Sequence, residues 1–128
     1  IHDLKLAEEA LRGLERFQRA LVEGVPELLW RSAGAGMWTW ASPQWCAFTG
    51  LSDEESLGLG WLDALHPEDR AVALSAWEQA PELGRLEVEY RVLDPATGRF
   101  CWFQTRATPV RDEDGTILEW LGASTDVQ

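Results

Sequence analysis

The hydrophobic positions of this chain change their spacing twice, and each change predicts a different kind of element. Over the first 25 residues, Leu4, Ala7, Leu11, Leu14, Gln18, Leu21 and Val25 recur in alternating steps of three and four, which puts one apolar stripe, with a single polar member, along an amphipathic helix over 1–23. Ala10, Phe17 and Ala20 widen the stripe, while Lys5, Glu8, Glu9, Arg12, Glu15, Arg16 and Arg19 occupy the opposite face. Gly24 and Pro26 stop the helix. Three heptads make a short coiled coil, so two readings stand side by side. The stripe either lies on the chain's own domain or forms a dimer seam through Leu4, Leu11, Leu14 and Leu21.

From Glu27 the spacing shortens. Glu27–Arg31 and Met37–Trp40 are strand-like runs of β-favouring residues separated by Gly34-Ala35-Gly36, which predicts two strands and a turn. Ser42-Pro43 opens a short helix over 44–49, because a serine caps the free amides and proline suits the first turn, and Gly50 ends it. Ser52-Asp53-Glu54-Glu55 has the form of a capping box for another brief helix ending near Gly58. One more turn is expected over 60–65. His66, forced out of helical geometry by Pro67, hands over to a longer helix over 67–80 whose apolar face carries Val72, Ala76 and Ala80, with Leu74 and Trp77 beside it.

The last third has a period of two. Leu86, Val88, Tyr90 and Val92 alternate with Glu87, Glu89 and Arg91, as in a half-buried antiparallel strand. Asp94–Gly98 is a turn, 100–110 a long strand, Asp114-Gly115 a hairpin signal, and 117–125 the final strand. The expected architecture is α+β: a five-stranded antiparallel sheet with short helices on one face, leaving the other face for the N-terminal helix or a partner. Residues 1–25 form the helical segment and 26–128 the domain.

Composition narrows the chemistry. The formal charge of −11, from 22 acidic and 11 basic residues, disfavours nucleic acid and anionic membrane surfaces as partners. No apolar run reaches the roughly 18 residues of a membrane span. Cys46 and Cys101 form neither a disulfide framework nor a metal-binding pair and are expected to be reduced thiols. The chain starts at Ile1 and is expected to be a segment of a longer, cytoplasmic protein. Eight tryptophans spread from Trp30 to Trp120 without a repeat are expected to fill a core.

Several fragments stand in a fixed order: Phe48-Thr49-Gly50, Gly60-Trp61, His66-Pro67-Glu68-Asp69-Arg70, Glu89-Tyr90-Arg91, Trp102, Pro109, Asp112 with Gly115, and Trp120-Leu121-Gly122-Ala123-Ser124-Thr125-Asp126-Val127. Together they resemble the PAS sensory domain, in the variant common in bacterial sensor histidine kinases, over roughly 27–128. Gln128 departs from the threonine usual at the end of the last element. The resemblance implies regulation rather than catalysis: a small molecule, cofactor or partner is detected between sheet and helices, and the event passes to a flanking helix as a change in homodimer geometry. It implies Asp126 as the relay residue, where the sheet hands over to a helix entering a C-terminal effector such as a histidine kinase of a two-component phosphorelay. It also implies a pocket, for which Phe48, Trp61, Leu65, Trp77, Tyr90, Phe103 and Leu121 are the candidate lining. Their bulk suggests a small or closed cavity.

No cofactor is assigned by the residues. His66 fits a structural turn better than a haem ligand. Cys46 sits in Gln44-Trp45-Cys46-Ala47-Phe48 and lacks the Asn-Cys-Arg-Phe run of the flavin-linked photosensory relatives. Asp112-Glu113-Asp114 reads as a solvated hairpin tip rather than a cation site. Glu87 and Glu89 point outward on a strand and do not converge as an acid/base pair; Arg91 and Arg106 are possible ion-pair partners for them or for Asp126. Two alternatives remain open: a ligand-free dimerisation or interaction module, and a small enzyme on an α+β scaffold, for which no catalytic set is visible.

Overall fold

The computed structural model describes residue 8, residues 11–19 and residues 27–127. Helix α1 covers 11–19; the rest of the expected N-terminal helix, with Leu4 and Leu21 of the expected seam, lies outside the described residues. Strands β1 (Leu28–Ser32) and β2 (Trp38–Ala41) follow, then helices α2 (Pro43–Thr49), α3 (Asp53–Ser56) and α4 (Arg70–Leu83), and strands β3 (Leu86–Asp94), β4 (Arg99–Arg111) and β5 (Ile117–Asp126). All five strands form one antiparallel sheet in the order β2-β1-β5-β4-β3.

Local chemistry accounts for the breaks. Ser42 caps α2 by accepting from Trp45 N at 3.2 Å and also accepts from Leu29 N at 3.0 Å, so one buried hydroxyl ties a helix start to β1. Gly50 closes α2 in the left-handed conformation (φ 76°), where glycine carries no Cβ penalty. The capping box over Ser52 and Glu55 forms in both directions, at 3.0 Å each. Gly60–Ala64 and Pro67–Asp69 are short 3-10 turns rather than helical starts, and α4 begins at Arg70. Its buried face is Ala73, Trp77 and Ala80, whereas Val72, expected on that face, is exposed. The helix turns the Ala73–Trp77–Ala80 stripe to the sheet, one position on from Val72 and Ala76. Pro81 lies within the last turn of α4, and Gly84 (φ 74°) closes the helix.

The inner face of the sheet is covered and α1 covers part of the outer face. The helices α2 to α4 and the intervening turns pack on the inner face, forming a core that includes Trp30, Trp38, Trp45, Trp61, Trp77 and Trp120, each at most 3% exposed. On the outer face, Phe17 of α1 packs with Leu29 and Leu121, flanked by Leu14, Trp40, Val110 and Ala123. Gly13 lets α1 come this close: a Cβ there would run into the side chain of Thr108 on β4.

Candidate functional site

The inner face is where the sequence places a pocket, and tryptophan side chains occupy it in depth. Trp38 lies stacked between Trp30 (centroids 4.8 Å apart) and Trp61 (5.2 Å) and meets Trp45 edge-on at 4.8 Å. Trp77 joins Trp30 at 5.7 Å and Trp120 at 5.4 Å, both edge-on. Offset and edge-to-face contacts of this kind add to the apolar burial itself. Gly122 permits the stack to sit against β5, because a Cβ there would meet the Trp30 ring. Three indole N–H groups in this layer have acceptors: Trp45 donates to Ser56 Oγ at 2.9 Å, Trp61 to the Gly36 carbonyl at 2.8 Å and Trp30 to Ser124 Oγ at 3.4 Å. The Trp38 N–H has none among the described residues.

Of the seven expected pocket residues, Trp61, Leu65, Trp77, Tyr90 and Phe103 are buried in this core and Phe48 packs at its margin, edge-on to Phe103 at 5.3 Å. Leu121 is on the opposite face with Phe17 and Leu29. The alternation of β5 explains it: Trp120, Gly122 and Ser124 point inward, so Leu121 and Ala123 point out. One polar seam crosses the inner face. Thr105 Oγ1 and Ser124 Oγ are 2.9 Å apart, and Trp30 Nε1 donates to Ser124 Oγ at 3.4 Å. Burial raises the Tyr90 phenol above its ordinary value, while hydrogen bonds to Thr105 and Ser124 oppose the rise. Hydroxyls that satisfy one another in this way leave little free hydrogen-bonding capacity for a ligand.

The helix junction and β3 are joined by a link that neither fragment shows on its own. Asp69, buried, accepts from the Arg91 amide (2.8 Å), from Arg91 Nε (2.8 Å) and from a terminal guanidinium nitrogen (2.7 Å). Arg91 also reaches Glu68 at 3.3 Å and lies over the Trp102 ring, 5.0 Å from its centroid. The hydrogen bonds from Arg91 hold the Asp69 carboxyl below its ordinary value, against the opposing effect of burial. Arg91 therefore pairs with Asp69 and Glu68, not with the strand glutamates considered from the sequence. His66 N donates to the Arg91 carbonyl (3.0 Å), and Leu65 bridges to Val92, so the junction covers the open edge of β3.

The remaining residues singled out by the sequence have structural settings. His66 Nδ1 accepts from Glu68 N at 3.1 Å, and its ring packs against Phe100 at 4.6 Å. Burial raises the thiol pKa of both cysteines, with further contributions from Asp53 at Cys46 and from Asp126 and Asp94 at Cys101; a reactive thiol needs the opposite shift. Asp112 Oδ1 accepts from Asp114 N and Thr116 N at 2.9 and 3.0 Å, forming the hairpin tip. Among the described residues, no three His, Cys, Asp or Glu side chains are grouped to hold a metal, and no helix is long and apolar enough to cross a membrane. Asp126 ends β5, opposite Phe103 in the ladder. In α1, Leu14 faces the chain's own sheet, while Leu11 is 56% exposed.

The outer face holds two adjoining clefts that no sequence motif announced. One, of about 240 Å³, lies between α1 and strands β4 and β5; the other, of about 310 Å³, lies between α1 and the start of β3. Arg16 and Arg106 border both. The arginine spacing on α1 was legible as a polar face; that it would meet Arg106 depends on how α1 crosses the sheet.

A family model of the PAS fold matches residues 38–124. The uncharacterized protein y4lL of Sinorhizobium fredii is 34% identical over 99% of this chain, which spans 15% of that protein. The peroxide stress-activated histidine kinase mak1 of Schizosaccharomyces pombe is 30% identical over 99% of this chain, which spans 9% of it. A solved sensory box histidine kinase/response regulator from Burkholderia thailandensis superposes with a TM-score of 0.61 at 31% identity, over 88% of this chain and 84% of that one. The chain belongs to the PAS family of sensory domains and is homologous to segments of histidine kinases. It covers only a small fraction of the two curated relatives.

Proposed function

We propose that this domain is a sensory and relay module of a larger cytoplasmic signalling protein with a histidine kinase output, and that it works as a homodimer. The observation that carries the reading is the filled inner face: stacked tryptophans occupy the space in which a ligand would sit. The input then acts on the outside of the core, through a partner, a ligand on the outer face or the flanking helices. It leaves through Asp126 and the segment that follows. In energetic terms the signal biases the output only as far as it binds one dimer arrangement better than the other.

The described part of α1 is suited to couple the two. Its Phe17 and Leu14 hold the domain's own sheet, while Leu11 is open to a second copy. Two variants test the reading, the first in the full-length protein and the second in the isolated domain. Asp126→Ala leaves the domain folded and changes kinase output; unchanged output removes the relay role. Leu11→Asp shifts the sedimentation of the isolated domain from dimer to monomer; persistent dimers place the seam elsewhere.

A further inference from the structure

The two outer clefts concentrate positive charge in a chain that is otherwise strongly acidic. Among the described residues, Arg12, Arg16, Arg19, Arg85 and Arg106 line them, five of the 11 basic residues in the chain, against two carboxylates, Glu27 and Glu87. Glu87 is already paired with Arg85 at 3.9 Å, and Arg12 with Glu8 at 3.7 Å. Arg16, Arg19 and Arg106 have no salt-bridge partner among the described residues, although acidic residues outnumber basic ones 22 to 11. These three line the cleft between α1 and β4–β5, together with Glu27 and the hydroxyl-bearing Thr108 and Thr125. Like charges gathered around a concave surface raise the local potential and attract a counter-charge.

We propose that this cleft binds a small polyvalent oxyanion, a phosphate monoester or a dicarboxylate, clamped between the α1 arginines and Arg106. Guanidinium groups match such anions geometrically through paired N–H donors. At about 240 Å³ the cleft falls just below the roughly 300–1,000 Å³ of drug-sized pockets, which limits the occupant to a small molecule. Binding ties the face of α1 to β4 and β5, across the same interface that Gly13 and Phe17 form. The proposal concerns binding to the isolated chain and holds whether or not the relay reading does.

The test is titration of the chain with inorganic phosphate, with succinate and with citrate, followed by proton–nitrogen correlation spectra of the Gly122, Thr125 and arginine Nε–H groups. Saturable shifts are expected with at least one probe, weakening as salt is added. A response to phosphate alone assigns the phosphate-ester class; a response to succinate or citrate alone assigns the polycarboxylate class. Arg106→Gln and Arg16→Gln are each expected to weaken binding about tenfold, the loss of one charge-assisted hydrogen bond. Arg99→Gln, at the exposed β3–β4 turn outside the cleft, leaves it unchanged. Three results overturn the proposal: shifts that never saturate, equal affinity in Arg106→Gln, or a change in oligomeric state in Arg106→Gln without any anion binding. The last would assign the arginines to contact with a second copy.

Discussion

Replacing Asp69 by asparagine isolates the link between the helix junction and β3. The substitution keeps the side chain's size and removes its charge, so Arg91 loses the carboxylate that accepts its amide and two guanidinium donors. Hydrogen bonds to charged groups contribute about 1.5–3 kcal/mol each when measured singly and do not add when shared. The Arg91 side chain is 24% exposed, so water and Glu68 recover part of the loss; a net cost of about 2 kcal/mol at neutral pH follows. For a chain of this length that lowers Tm by about 8 °C. The pH dependence is the sharper part. Asp69 titrates lower in the folded state than its ordinary 3.8, so its contribution is complete above that value and is lost as pH falls through the lower folded value. Urea denaturation followed by tryptophan emission, with wild type and variant compared from neutral pH down to acid, should show a constant difference that shrinks below 3.8. A difference under about 0.5 kcal/mol at neutral pH, or one that persists unchanged into acid, refutes the argument. A double-mutant cycle with Arg91→Met should return most of the cost as coupling energy.

Two other substitutions test the two faces of the sheet. Trp45→Phe leaves Ser56 Oγ without its donor, whereas Trp38→Phe removes an N–H that had no acceptor; Trp45→Phe should cost about 1 kcal/mol more in urea denaturation, and the reverse order would contradict the assignment of these N–H groups. Gly13→Val drives a side chain into Thr108 and should lift α1 from the sheet while the inner core stays folded. Trypsin cleavage after Arg12, Arg16 and Arg19 would then accelerate, and an unchanged digestion pattern would mean that α1 is not held there.

Much of the fold was legible because local chemistry and tertiary position agree. The capping serines at Ser42 and Ser52, the glycine after α2 and the alternation through Leu86–Val92 each specify one outcome, and the structure has it. The register of α4 was not legible. Several apolar residues, Val72, Leu74, Ala76 and Trp77, compete for its inner face, and the choice is made by packing of Trp77 on Trp30 and Trp120, residues distant in sequence. Leu121 was misplaced for a related reason: in a period-two strand a one-residue error in phase exchanges the faces, and the phase of β5 is fixed by Gly122 under Trp30. The outer clefts were invisible in sequence, since their arginines come from α1, the turn before β3 and β4, and meet only when α1 lies across the sheet. The tryptophan stack was foreseeable in composition but not in geometry.

The measurement that tests the central claim most directly is native mass spectrometry of the purified domain without added ligand. A filled inner face predicts chains at their bare mass, unchanged after denaturation and refolding, and the relay reading predicts that they pair as a dimer. A stoichiometric added mass that is released on unfolding and lost in a Phe103→Trp variant would place a ligand on the inner face and contradict the account.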